Sequence, residues 1–327
     1  MIYLVFSGVL WGTGGLTGRL LALHAHLSPT AVAGYRLSIG GALLILFATA
    51  TGRGRLRDSG TAAQSGRLPG AAAGHSGPLP VAGASAARPG LVRGRAAWTR
   101  VGVMGALSAG FQACYFAAVA LTDVSLATLL TIGAAPLLVV AFEQATGRRR
   151  LDVRVAATVS LAVAGLGLLV GEPPRGITAT HLALGALCAI TSAAGFSAIS
   201  LLGKDPVPGL DEITMTGYSF TLGGLALLGT SEITTGAGFT PRPAALGLLA
   251  VFGLVPTAIA YGCYFIGLRE AAASTGTVTA LLEPLTGTIL AVALLGDRLT
   301  AVGMLGAALL AVSVGAETWQ VRTRPAG

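Results

Sequence analysis

Charge is scarce in this sequence. Only 10% of its 327 residues are Asp, Glu, Lys or Arg, against about 25% in soluble globular domains, so it cannot clothe a water-facing surface. Histidine occurs four times, at His24, His26, His75 and His181, with no HExxH pair. No P-loop is present, and the GFSAI stretch at 195–199 lacks the second glycine of a GxSxG elbow. These absences argue against zinc-hydrolase, nucleotide-hydrolase and serine-hydrolase chemistry, and neither an enzyme nor a cofactor is expected. The three cysteines, Cys114, Cys188 and Cys263, have no CxxC spacing and lie inside apolar runs, where they read as small packing residues rather than metal or redox groups. The N-terminus, MIYLVFSGVLWG, lacks the positive flank of a cleavable signal and reads as a retained first span.

What is present is apolar. Hydrophobic residues make up 53% of the chain, and its mean hydropathy is +0.77. The net charge of +8 does not indicate nucleic acid, because the basic residues form short clusters between apolar runs. A helix needs about 20 apolar residues to cross hydrocarbon. On that criterion ten spans are expected, at approximately 2–22, 29–50, 97–120, 124–146, 152–171, 180–202, 213–231, 244–267, 271–295 and 299–317. Residues 51–96 are a Gly, Ala, Ser, Pro and Arg mixture without periodicity, which predicts a disordered cytoplasmic linker.

The basic residues set an orientation. With the N-terminus inside, sixteen Lys and Arg fall in cytoplasmic loops, and three, Arg175, Arg242 and Arg298, fall outside. Arg19 and Arg36 lie within spans, and counting both as external leaves the bias intact, so both termini are expected in the cytoplasm. One lysine among the twenty-one basic residues, with heavy Ala and Gly use, points to a bacterial source and hence to the inner membrane.

An internal repeat follows the same spans. CYFAAVALTDVSLATLLTIGAAP from Cys114 matches CYFIGLREAAASTGTVTALLEP from Cys263, and after a one-residue gap Pro136 pairs with Pro284. The period is about 149 residues, or five spans, and an odd number of spans inverts the second copy. Charge exchanges accordingly. Arg148, Arg149 and Arg150 in the first copy face Asp297 and Arg298 in the second, whereas Thr122 and Asp123 face Arg269 and Glu270. Inverted repeats are a common build of secondary transporters.

On these residues the chain resembles the EamA-type family of drug/metabolite transporters. The resemblance rests on WGTGG at 11–15, Arg36 early in the second span, the Pro136 segment with its basic turn, and LLEPLTGTILAVALLGDRLTAVGMLGAALL at 281–310. It covers essentially the whole chain apart from 51–97. The first repeat departs from the family pattern, with Ala135 before its proline and Arg148 or Arg149 where an acid is usual. The resemblance implies an all-α integral membrane protein of ten helices in two inverted five-helix repeats around a central cavity, and export of amino acids, related metabolites or drugs. The expected units are 1–50 with 97–171, then 180–318, with a cytoplasmic tail at 319–327.

Glu283 is the leading functional candidate. A carboxylate at the centre of a lone helix costs about 2.5–3.5 kcal/mol to insert, so it should face a cavity or a partner. Two roles are open to it: a proton-exchanging group or counter-charge for a ligand amine, or a hydrogen-bond donor to the Ala280 carbonyl, which Pro284 leaves without a helical N–H. Pro136 and Pro284 are either helix breaks that expose backbone to substrate or packing kinks. Gly8, Gly12, Gly14 and Gly18 form GxxxG pairs for close helix approach, and Trp11 among them is a candidate cavity wall. Arg36 either snorkels to the headgroups or anchors an anion. Gln112, Tyr115, Thr128 and Thr131 in the first repeat, with Tyr261, Tyr264 and Thr279 in the second, are interhelical hydrogen bonders or ligand contacts. The expected partners are the bilayer, a small-molecule substrate and a coupling ion such as the proton. No metal site is expected, and a homodimer is left open. The alternative class is a non-transporting membrane scaffold or channel.

Overall fold

The structure, a computed structural model, describes residues 1–25, 27–51, 92, 94–122, 124–148, 153–170, 176–208, 210–295, 298 and 300–323. The expected linker therefore lies almost wholly outside the described residues, as do Arg149, Arg150, Arg175, Asp123 and Asp297. In hydrocarbon a backbone N–H or C=O has no water to bond and must pair within its own segment, so each apolar run folds as helix. No strand occurs among the described residues.

The first half of the chain contains α1 (Ile2–Ala25), α2 (Pro29–Thr51), α3 (Arg95–Leu121), α4 (Val124–Ala145) and α5 (Val153–Val170). The second half begins with α6 (Ala179–Lys204) and α7 (Glu212–Thr234). Next come α8 (Pro243–Gly253), a wide π turn over Leu254–Ile259, and α9 (Ala260–Leu268) as one rod. Then α10 (Ala273–Ala280) and α11 (Leu282–Leu290) are separated at Leu281, a second π turn spans Ala291–Leu295, and α12 (Ala301–Thr323) ends the bundle.

Among the described residues, eight helices are long and apolar enough to cross a membrane. The protein is thus an all-α membrane protein. Of the ten expected spans, α1 contributes a shorter apolar stretch, Ile2–Gly18, and α7 is not among the eight. The reason at α7 is its hydroxyl content: Thr214, Thr216, Ser219, Thr221, Thr230, Ser231 and Thr234 interrupt the apolar residues.

The prolines behave differently from one another. Pro136 lies inside the uninterrupted α4, whereas Pro284 sits in the first turn of α11, just after the break at Leu281. A third, Pro256, lies in the first π turn. Its missing N–H deprives the carbonyl of Phe252, and the Thr257 hydroxyl donates to that oxygen at 2.9 Å instead.

Two crossings bring backbone against backbone. Where α2 meets α7, a methyl group added to Gly41 would lie 2.6 Å from the Gly217 oxygen, and one added to Gly224 would lie 2.5 Å from the Ser38 nitrogen. Where α5 meets α12, one added to Gly165 would lie 2.8 Å from the Leu310 nitrogen. Glycine here removes the side chain that would hold the helices apart, and dispersion contacts between close helices drive association in lipid.

The two ends of the bundle differ. At the end carrying Met1, Arg269 pairs with Glu212 at 2.6 Å, Arg148 with Asp205 at 3.5 Å, and the terminal amine approaches Glu270 at 3.9 Å. Arg100 donates to the Leu202 carbonyl at 2.6 Å at the same end. At the opposite end Tyr35 donates to the Ala237 carbonyl at 2.9 Å, the Ser28 and Ser231 hydroxyls meet at 3.0 Å, and the Glu232 carboxylate accepts from the Ala237 N–H at 2.9 Å.

Candidate functional site

A cavity of about 650 Å³ lies between the two halves of the chain. Trp11, Gly14 and Gly15 of α1, Arg36 of α2, Phe111, Gln112 and Tyr115 of α3, and Thr131 of α4 line it from the first half. Phe196 of α6, Phe252 of α8, Tyr261 of α9 and Glu283 of α11 line it from the second. Its wall continues through Gly18, Leu27, Pro29, Val119 and Val124, which mark the end of the bundle opposite Met1. The glycines divide by function. Gly12 packs against the backbone of α11, where a methyl group would meet the Glu283 oxygen at 2.8 Å, and Gly8 packs against Thr279 and Leu282. Gly14 and Gly18 instead face the Phe252 ring and leave room in the cavity.

Aromatic rings close the inner side. Trp11 is 4% exposed, and its ring centre lies 4.8 Å from Tyr261, 4.9 Å from Tyr264 and 6.0 Å from Phe196. Its indole Nε1 is buried without a hydrogen-bond partner. An orphaned donor of that kind costs about 1–3 kcal/mol, so a ligand acceptor reaching it would be favoured.

Two opposite charges face this space. The Arg36 guanidinium sits 5.3 Å from the centre of the Phe252 ring, a cation–π contact that offsets part of its desolvation. It lines the same cavity as Tyr261 and Glu283. Its Nε is a second buried donor without a partner. Glu283 makes no hydrogen bond among the described residues. Its carboxyl lines the cavity.

The remaining candidates separate clearly. Gln112 is 3% exposed and lines the cavity. The Tyr115 hydroxyl meets Thr128 Oγ1 at 2.9 Å, which fixes the ring while Thr128 itself stays out of the lining. Thr131 lines the cavity and donates to the Ala189 carbonyl at 3.2 Å. Tyr264 and Thr279 lie outside the lining: the Tyr264 hydroxyl meets Ser200 Oγ at 2.7 Å, and Thr279 donates to the Gly276 carbonyl at 2.8 Å.

Sequence reasoning missed the phenylalanine walls, because Phe111, Phe196 and Phe252 look like any other apolar residue in an apolar span. It also missed two buried carboxylates. Glu143 near the end of α4 is 4% exposed, and Glu317 in α12 is 2% exposed. Both fall near span ends, where an acid usually reads as an interfacial group, and only tertiary packing buries them.

An all-helical membrane bundle around a cavity dotted with both charges has the build of a solute carrier. Residues 183–316 match the family model of the EamA-like transporter family. The chain is 28% identical over 220 residues to "Uncharacterized transporter YwfM" of Bacillus subtilis, covering 65% of this chain and 71% of that protein. It is 26% identical over 202 residues to an "Uncharacterized transporter" of Archaeoglobus fulgidus, covering 62% and 70%. A solved crystal structure shares the fold at a TM-score of 0.69 and 20% identity, covering 98% of this chain and 97% of that one. The protein is a membrane transporter, and its residues 183–316 are EamA-like.

Proposed function

We propose that the protein is a secondary transporter that exports small metabolites, such as amino acids, related compounds or drugs, across the inner membrane by alternating access. The observation that carries this reading is the cavity itself. It places Arg36 from one half of the chain and Glu283 from the other around one space that extends toward one end of the bundle. A ligand bearing both an anionic and a cationic group would engage both halves at once, which is how binding can bias their relative position.

The layout proposed is ten membrane helices in two inverted five-helix repeats, with α1 and α7 counted as spans. Packing supports it. Under exchange of the halves, the α2–α7 and α5–α12 contacts map onto themselves. The contacts of α3 and α4 with α6 map onto those of the α8–α9 and α10–α11 rods with α1. Cytoplasmic termini are supported by the gathering of Arg100, Arg148, Lys204 and Arg269 at the Met1 end. With no nucleotide motif in the sequence, transport would run on an ion gradient, the proton included, or on the substrate's own gradient.

Efflux of labelled amino acids, followed by a broad metabolite panel, from cells with and without the protein tests this reading. Faster loss of at least one compound is expected, and identical profiles would overturn it. Reporter fusions after residues 60 and 322 should signal from the cytoplasm and one after 175 from outside; an external signal at 60 would overturn the inverted layout. Trp11→Phe keeps most of the ring contacts but removes the orphaned Nε1–H. It is expected to weaken apparent substrate affinity roughly 2- to 10-fold, read as a shift in the concentration giving half-maximal efflux.

A further inference from the structure

The short helix α10 starts at the Met1 end with no side-chain cap of its own at Ala272. Its first-turn donors are met by carboxylates from two other helices. Glu143 of α4 accepts from the Ala273 N–H at 3.1 Å and from the Ser274 hydroxyl at 2.6 Å. Glu317 of α12 accepts from the Thr275 hydroxyl at 2.6 Å. A helix N-terminus carries partial positive charge, so two buried acids are well placed there, and charge-assisted bonds are the strong ones. All eight residues of α10 are buried.

The repeat makes this arrangement one-sided. Val124 and Ser125 of α4 correspond to Ala273 and Ser274, and Val124 lies at the opposite end, where it lines the cavity. The residues corresponding to Glu143 and Glu317 are Ala291 and the Leu168–Leu169 pair, none of which can accept such bonds. One end is tied by carboxylates, and its counterpart carries the cavity. From Ala273, α10 runs inward to the break at Leu281 and hands over to α11, which carries Glu283. About ten residues of helix span roughly 15 Å. A single short rod thus joins the tied end to the cavity wall.

We propose that Glu143 and Glu317 are positioning residues that clamp α10 and hold the Met1 end closed, and that releasing this clamp is what opens the cavity to that side. The inference rests on the alternating-access reading. Opening the Met1 end must part α10 from α4 and α12, because these helices pack together over the closed end. The clamp biases the resting protein toward the state with its cavity open at the other end, without touching substrate.

The test uses the full-length protein in inside-out and right-side-out vesicles, with its cysteines replaced and one introduced at the cavity-lining Ala280. A membrane-impermeant maleimide is expected to label Ala280→Cys only from the end opposite Met1. With Glu143→Gln and Glu317→Gln combined, labelling from the Met1 end should rise at least about tenfold while labelling from the opposite end falls. Glu143→Asp, which keeps a carboxylate, should largely restore the original pattern. A merely structural role would loosen both ends, so increased labelling from both sides overturns the proposal, as does an unchanged pattern. If the double variant does not assemble, Ser274→Ala with Thr275→Val removes the same side-chain bonds from the α10 side, and the same two readouts decide. Labelling needs no substrate, so failure of the clamp and failure to find an exported compound are separate results.

Discussion

Glu283→Gln is expected to lower transport roughly ten- to hundredfold at sub-saturating substrate while leaving membrane expression intact. The glutamine has nearly the same shape, and Glu283 makes no hydrogen bond among the described residues, so the fold loses little. The cavity loses the negative charge that Glu283 brings to it, and no other acid among the described residues lines it. A hydrogen bond to a charged group is worth about 1.5–3 kcal/mol, which sets the size of the effect on a cationic ligand group or on a coupled proton. Efflux of the identified substrate from cells of matched expression checks this. Any dependence of wild-type flux on pH between about 5 and 8 should flatten in the variant, since glutamine does not exchange a proton in that range. Equal flux and an equal pH profile would remove Glu283 from the mechanism.

Gly41→Leu is expected to abolish assembly of the folded protein, through contact alone and with no change of charge. The first carbon of the new side chain already meets the Gly217 oxygen and the Thr221 nitrogen at 2.6 Å. Backbone atoms cannot rotate away as a side-chain tip can. Overpacking costs about 1–3 kcal/mol where neighbours can adjust, and here the whole α2–α7 crossing must separate. Fluorescence-detected size exclusion should show loss of the monodisperse peak. Gly15→Leu in the same assay should assemble, since nothing lies within 4 Å of a carbon added there.

The sequence carried the helical architecture well because hydrocarbon permits few alternatives: a long apolar run must become a helix. The same logic pointed to Glu283, whose charge stands out against its surroundings, and to Arg36 and Trp11. It did less well wherever the outcome depends on which faces meet. Thr128, Tyr264 and Thr279 have the same chemistry as Tyr115, Thr131 and Tyr261, yet they lie outside the cavity lining, and only packing decides between the two sets. Glu143 and Glu317 needed three helices to converge before they became buried. Pro256 was overlooked because proline in an apolar run signals a bend without saying how the orphaned carbonyl is satisfied, and the answer here is a neighbouring threonine.

That wide turn at Leu254–Ile259 has an angular effect on the residues beyond it. A π turn accommodates one residue more than an α turn, so everything downstream is rotated by about 100° relative to a regular continuation of α8. Tyr261 and Tyr264 owe their bearing toward Trp11 to that offset. Ironed into regular helix, the same sequence would swing these rings around the rod. The aromatic wall is therefore a matter of phase as much as of composition, and it is set several residues before the first of its rings.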